Sequence, residues 1–172
     1  MVSKRSSKHS HPKTKPLANL RHQIDRLDRE LLKLVNERAS VAAQIGEVKN
    51  DSGMEVYSPA REEEIVTQVI QNNPGPLQEA CIRAIFRELM SGSRSLQKVL
   101  KTAYLGPQYS FSHLAAIEKF GHSVEYVPVG SIQAVFEAVN RGHADFGLVP
   151  VENSTDGRIS DTLEMFTRLP LR

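Results

Sequence analysis

From Leu17 to about Asn50 the chain runs without a proline, and Gly46 is its only glycine there. Apolar residues recur at Leu20, Ile24, Leu27, Leu31, Leu34/Val35, Val41/Ala42, Ile45 and Val48. Steps of three and four place them on one stripe of a helix. At ~1.5 Å per residue the helix spans about 50 Å. That is too long for a compact monomer of 172 residues to cover, so a partner is expected along it.

Asp51-Ser52-Gly53 breaks the pattern. Ser58-Pro59 reads as a new start, with Ser at the cap and Pro at the first helical position. This second helix is predicted to reach about Asn72, before Asn73-Pro74-Gly75-Pro76. A third is predicted from about Leu77 to Leu100, with Cys81, Ile82, Ile85, Phe86, Leu89 and Met90 facing inward. After Lys101 the periods alternate. Strands are predicted over Thr102 to Leu105, Val124 to Val129 and Ala144 to Val151; helices over Ser110 to Phe120, Ile132 to Asn140 and from near Ser160; and a loop over Glu152 to Gly157. The reading is an all-helical region followed by a parallel α/β region.

An apolar fraction of 40% and a charged fraction of 24% are those of a soluble globular chain. No apolar run approaches the ~18 residues of a membrane span. The N-terminus lacks the apolar core of a signal peptide, and a cytoplasmic location is expected. The single cysteine, Cys81, excludes an intrachain disulfide and is expected as a small core residue. No metal site or cofactor is expected. The net charge of +2 is uneven, since Lys4, Arg5, Lys8, Lys13 and Lys15 lie before residue 17 and the remainder is net −3. Residues 1–16 are expected to be a disordered basic tail. Without interleaved aromatics that tail gives no support for nucleic-acid binding.

The first helix carries charge in phase with its apolar stripe. Continuing from Leu31 and Val35, the inward series passes Arg38, Ala42 and Ile45 and reaches Lys49. Three turns separate the two cations, ~17 Å between Cα atoms. Burying them is costly without an anion. Either they reach solvent past the stripe or pair with acids such as Glu62, or they hold a small polyanion inside a helical bundle. On the third helix the line Ile85, Leu89 continues to Ser93 and Gln97, neutral hydrogen-bonding groups in one phase.

The segment LRHQIDRLDRELLKLVNERASVAAQIGEVK resembles the first helix of the all-helical chorismate mutases, as do YSPAREEEIV and the terminal Ser93-x-x-x-Gln97. The resemblance implies a three-helix mutase domain over residues 17–101 that forms an interlocked dimer. By that likeness Arg21 and Arg38 hold the two substrate carboxylates. Lys49 and Gln97 donate to the ether oxygen of the breaking bond, Glu62 accepts the ring hydroxyl, and Ser93 and Ser58 assist. Ser58 stands where the family often has Asp, and helix capping alone also explains it. Arg61 matches a secondary family arginine. Chorismate is a dianion, which suits bidentate arginines. Its pericyclic rearrangement needs a held conformer and stabilised charge, with no nucleophile. Arg21 precedes Arg38 by 17 residues, ~25 Å along the helix, too far to reach a pocket near Arg38 in its own chain, and the resemblance implies that it acts in a partner's site.

GPQYSFSHLAA and VPVENSTDGRISDTLEMF resemble the opening of the prephenate dehydratases. Fusion after a mutase matches the bifunctional family of phenylalanine biosynthesis. The likeness implies that residues 102–172 are the incomplete first part of a two-lobed domain like that of periplasmic binding proteins, with Asn153, Ser154 and Thr155 contacting prephenate. Ser110 and Ser112 could present a helix start to an anion. His113 and His143 are read as structural. The family's second lobe and regulatory ACT domain have no counterpart before Arg172, so no dehydratase turnover is expected. Two other functions compete with the mutase reading. One is an isochorismate pyruvate lyase on the same fold, and the other is a non-catalytic helical dimerisation module of an α/β ligand-binding protein.

Overall fold

A computed structural model of the chain describes residues 16–153 and 157–169. The basic tail, except Pro16, lies outside them, as do Ser154 and Thr155. Helix α1 spans Leu17–Asp51, as its period predicts. The chain divides inside this helix into two compact units, Met1–Asn36 and Glu37–Arg172. In the first unit the described residues are the opening turns of α1, where Leu20, Ile24, Leu27 and Leu31 are all exposed. Its polar side carries Arg26–Glu30 at 3.7 Å, one turn apart.

The second unit continues α1 and adds α2 (Pro59–Gln71) and α3 (Glu79–Ser95). Then follow β1 (Lys101–Leu105), α4 (Phe111–Phe120), β2 (Glu125–Val129), α5 (Ile132–Asn140), β3 (Phe146–Leu148), β4 (Glu152–Asn153), β5 (Gly157–Arg158) and α6 (Ser160–Arg168). Strands β2-β1-β3 form a parallel sheet in which Thr102 lies opposite Tyr126 on one side and Phe146 on the other. Ala103, Val135 and Ala144 form one apolar cluster beneath it, and Ile132, Phe136 and Met165 a second. A third brings Tyr57, before α2, onto Leu100 and Phe120. The helical and α/β parts of this unit thus share apolar core.

Four expectations are corrected. The third helix stops at Ser95, not Leu100, because Gln97 and Lys98 both donate their backbone N–H to Arg94 O. The resulting turn sends Leu100 into the core. The third strand is only Phe146–Leu148, since the N–H groups of His143 and Ala144 close the end of α5 on Ala138 O and Pro150 has no N–H to donate. The predicted loop after Val151 contains a short antiparallel pair, β4 with β5. Cys81 is exposed rather than core. The buried line on α3 runs through Ile82, Met90 and Ser91 to Arg94, with Ile85 exposed.

Asp145 fastens the α3–β1 connection to the start of β3. Its carboxylate accepts from Lys98 Nζ and, at 2.8 Å, from the Lys101 backbone N–H. Burial opposes its ionisation, but these bonds outweigh burial and hold the carboxyl below its ordinary value of 3.8. A carboxyl depressed in the folded state stabilises the fold above its unfolded pKa. That contribution is lost as pH falls through the folded value. Thermal melts from pH 6 to pH 3 are therefore expected to fall less steeply for Asp145→Asn than for the parent; equal slopes would remove Asp145 from the acid response.

Candidate functional site

The second unit's share of α1 presents Arg38, Ala42, Gly46 and Lys49 at steps of four, four and three, one side of the helix. Gly46 is the buried residue of α1. A Cβ there would lie 2.4 Å from Cγ of Gln97 and 2.6 Å from its Cδ and Oε1. The missing side chain is what lets the Gln97 amide lie flat on the helix. Gln97 Nε2 donates to Ala42 O at 2.8 Å, and its Oε1 is buried without a hydrogen-bond partner among the described residues. One turn earlier, Arg38 donates from a guanidinium N–H to Ser93 Oγ at 3.1 Å. Ser93 in turn donates to Leu89 O at 2.6 Å. So α1 and α3 meet through Arg38–Ser93 and Ala42–Gln97.

Lys49 folds over the end of α1, where a cation suits the helix dipole. Its Nζ donates to Glu55 O at 3.1 Å and Val56 O at 3.0 Å. Arg38 and Lys49 are both half-buried, and neither pairs with a carboxylate among the described residues. Glu62 is committed elsewhere, forming an ion pair with Arg94. Of the alternatives open for the α1 cations, pairing with Glu62 is therefore not the one found. Ser58 has the extended backbone of an N-cap, but its side chain makes no capping bond. Arg61 is exposed and pairs with Glu64 at 2.6 Å. Arg21 is exposed in the first unit. The structure thus joins Arg38 to Ser93 and Gln97 to α1, holds Lys49 on the approach to Ser58, and leaves Glu62 and Arg61 in other pairs.

Arg94 is the polar residue of this region that the sequence reading missed. It is 5% exposed, its second N–H group donates to Phe120 O at 2.6 Å, and its guanidinium carbon stands 4.7 Å from the Tyr57 ring centroid. The signal was present, since Ile82, Phe86 and Met90 lead by steps of four to Arg94. The sequence reading followed the neighbouring line through Ser93 instead. Burial, then the Glu62 charge, raise the Tyr57 phenol above its ordinary pKa against the pull of Arg94. Tyr57 is therefore neutral at pH 7 and serves as an apolar wall.

Two clefts of about 590 and 530 Å³ lie beside Tyr57 and Phe146 and between α2 and α3, and Arg38, Lys49 and Gln97 line neither. In the α/β part, Ser110 caps α4: its Oγ accepts the His113 N–H at 3.3 Å and donates to Leu105 O at 3.1 Å. His113 is buried, stacks on Tyr104 with centroids 4.8 Å apart, and accepts the Tyr109 N–H at Nδ1. Its role is structural, whereas His143 is exposed. Ser112 is half-buried. Asn153 pairs with Gly157 across the β4–β5 ladder, and Ser154 and Thr155 lie outside the described residues.

Residues 20–98 match the family model described as chorismate mutase type II, and residues 102–172 match prephenate dehydratase. A bifunctional chorismate mutase/prephenate dehydratase of Aquifex aeolicus is 43% identical over 154 residues, which cover 87% of this chain and 42% of that protein. The corresponding protein of Escherichia coli is 30% identical over 173 residues, covering 91% of this chain and 45% of the relative. The chain thus spans less than half the length of these curated relatives. A solved chorismate mutase from Thermus thermophilus aligns with a TM-score of 0.47 at 35% identity, over 48% of this chain and 93% of that one.

Proposed function

As the chain belongs to the bifunctional chorismate mutase/prephenate dehydratase family, in two consecutive parts, we propose that residues 17–101 form a domain that rearranges chorismate to prephenate for phenylalanine biosynthesis. It works as a cytoplasmic homodimer without a cofactor. The observation that carries this reading is the pair Arg38 and Lys49. Both are half-buried cations without a carboxylate partner among the described residues, and they flank a glutamine amide seated on Gly46. Cations so placed are stabilised by an incoming dianion.

Arg38, steadied by Ser93, takes one substrate carboxylate. Arg21 of a second copy takes the other, which gives the exposed apolar stripe of α1 an occupant. Lys49 turns from its two carbonyls and Gln97 from Ala42 O toward the ether oxygen. There they stabilise the negative charge that grows as the C–O bond breaks and the new C–C bond forms. Glu62 accepts the ring hydroxyl, and Ser58 lies beside it. Residues 102–172 are the first part of a dehydratase domain, and Asn153, Ser154 and Thr155 contact prephenate there. Among the described residues no helix is long and apolar enough to cross a membrane.

The test is loss of chorismate absorbance in the presence of the purified chain, with products separated before and after acid treatment. Prephenate, with phenylpyruvate appearing only after acid, is the result expected of the mutase acting alone. Pyruvate released from isochorismate would assign the lyase instead. A folded dimer that consumes neither would leave only the dimerisation role.

A further inference from the structure

We infer that Arg94 is a positioning residue for the mutase site: it orients the Glu62 carboxylate from a seat that the α/β part of the chain builds. The inference rests on reading Glu62 as the acceptor of the substrate hydroxyl. A guanidinium only 5% exposed is costly unless its N–H groups are all used. Arg94 meets Glu62 Oε1 with one group and Phe120 O with another, and lies over the Tyr57 ring. Phe120 is the last residue of α4, where helix carbonyls lack internal donors and carry partial negative charge.

Two more side chains of α3 bind the same turn. Glu88 Oε2 accepts the His122 N–H at 3.0 Å, and Ser91 Oγ accepts the Ser123 N–H at 3.1 Å. Glu88, Ser91 and Arg94 follow at steps of three, so one face of α3 binds the backbone of residues 120–123. Gly121, at φ 78°, is closed down on Ser91, and a Cβ there would stand 2.5 Å from that of Ser91. The place of Arg94 is therefore over-determined by contacts other than Glu62. Glu62 is half-buried in the first turn of α2, and Arg94 is the one hydrogen-bonding partner of its carboxylate among the described residues. Orientation passes from Arg94 to Glu62. Oε1 is occupied by the guanidinium, and Oε2 has no hydrogen-bonding partner among the described residues. The α/β part thereby sets a carboxylate of the mutase site.

The test is a double-mutant cycle on the full chain, with kcat and KM for chorismate measured for the parent, Arg94→Met, Glu62→Gln and the double variant. Arg94→Met is expected to lower kcat/KM about tenfold in the parent, and less than about twofold when Glu62 is already Gln. The same factor in both backgrounds would show a general structural role and overturn the inference, as would parental kinetics. Arg94→Lys keeps the charge but cannot reach Phe120 O and Glu62 together. It carries the same cycle should the Met variant misfold, with the same criterion. A parent chain that turns over no chorismate sinks the site reading and this inference with it. An active parent with uncoupled Arg94 variants sinks the inference alone.

Discussion

Arg38→Ala is expected to lower kcat/KM for chorismate by about 10³-fold while the helical circular dichroism and the mass in solution stay as in the parent. The two halves of that expectation rest on different contacts. The Arg38 guanidinium donates to Ser93 Oγ, and Ser93 keeps its own bond to Leu89 O when the arginine is removed. Among the described residues no carboxylate is orphaned by the change, so the stability cost stays near the ~1 kcal/mol of one net hydrogen bond. The catalytic cost is larger, because a carboxylate drawn out of water then finds no cation. Parental turnover by a folded Arg38→Ala variant would mean that the dianion binds elsewhere.

Gly46→Ala is expected to cut kcat about 10²-fold in a protein that melts no lower than the parent. Replacing an interior helical glycine with alanine contributes up to ~1 kcal/mol of helix propensity. The new Cβ, however, would meet Gln97 Cγ at 2.4 Å and Cδ at 2.6 Å. The obstructing atoms belong to a side chain and can swing aside, which limits the folding penalty. The swing carries the amide away from Ala42 O and from the place where it is proposed to meet the ether oxygen. In a Gln97→Ala background the same substitution should cost nothing further in kcat. A Gly46→Ala enzyme with parental kcat would show that the amide does not need its seat on α1. Stability and activity are thus expected to move in opposite directions at one residue.

Much of this site was legible before any coordinates. Arg38 and Lys49 stood out because they fall in phase with an apolar stripe, and period survives folding as long as the helix does. Ser93 was legible for the same reason, lying within α3. Gln97 was named for its phase on a helix that in fact ends at Ser95; the amide reaches α1 from a turn, and only Gly46 leaves room for it. Glu62 was legible as an acid near the start of α2, but its partner was not. That partner, Arg94, is 32 residues away in sequence and is held by a backbone carbonyl of α4, which leaves no mark on local pattern. Cys81 was misplaced because apolar neighbours on either side do not say which side of a helix faces the core.

By itself the sequence determined the succession of elements, the length of α1, the change from a period near 3.6 to alternating strands and helices after Lys101, and the two motif sets that match two family models. These are set by short-range sterics and by the spacing of apolar residues. Tertiary structure alone decided where α3 ends, how little of the third strand pairs, and that Tyr57, Leu100 and Phe120 make one core from two motif regions. It also decided that a buried guanidinium joins Glu62 to the end of α4. Each of these depends on groups distant in sequence finding a hydrogen-bond partner or a void of the right size. Burial fixes that choice, and local pattern does not.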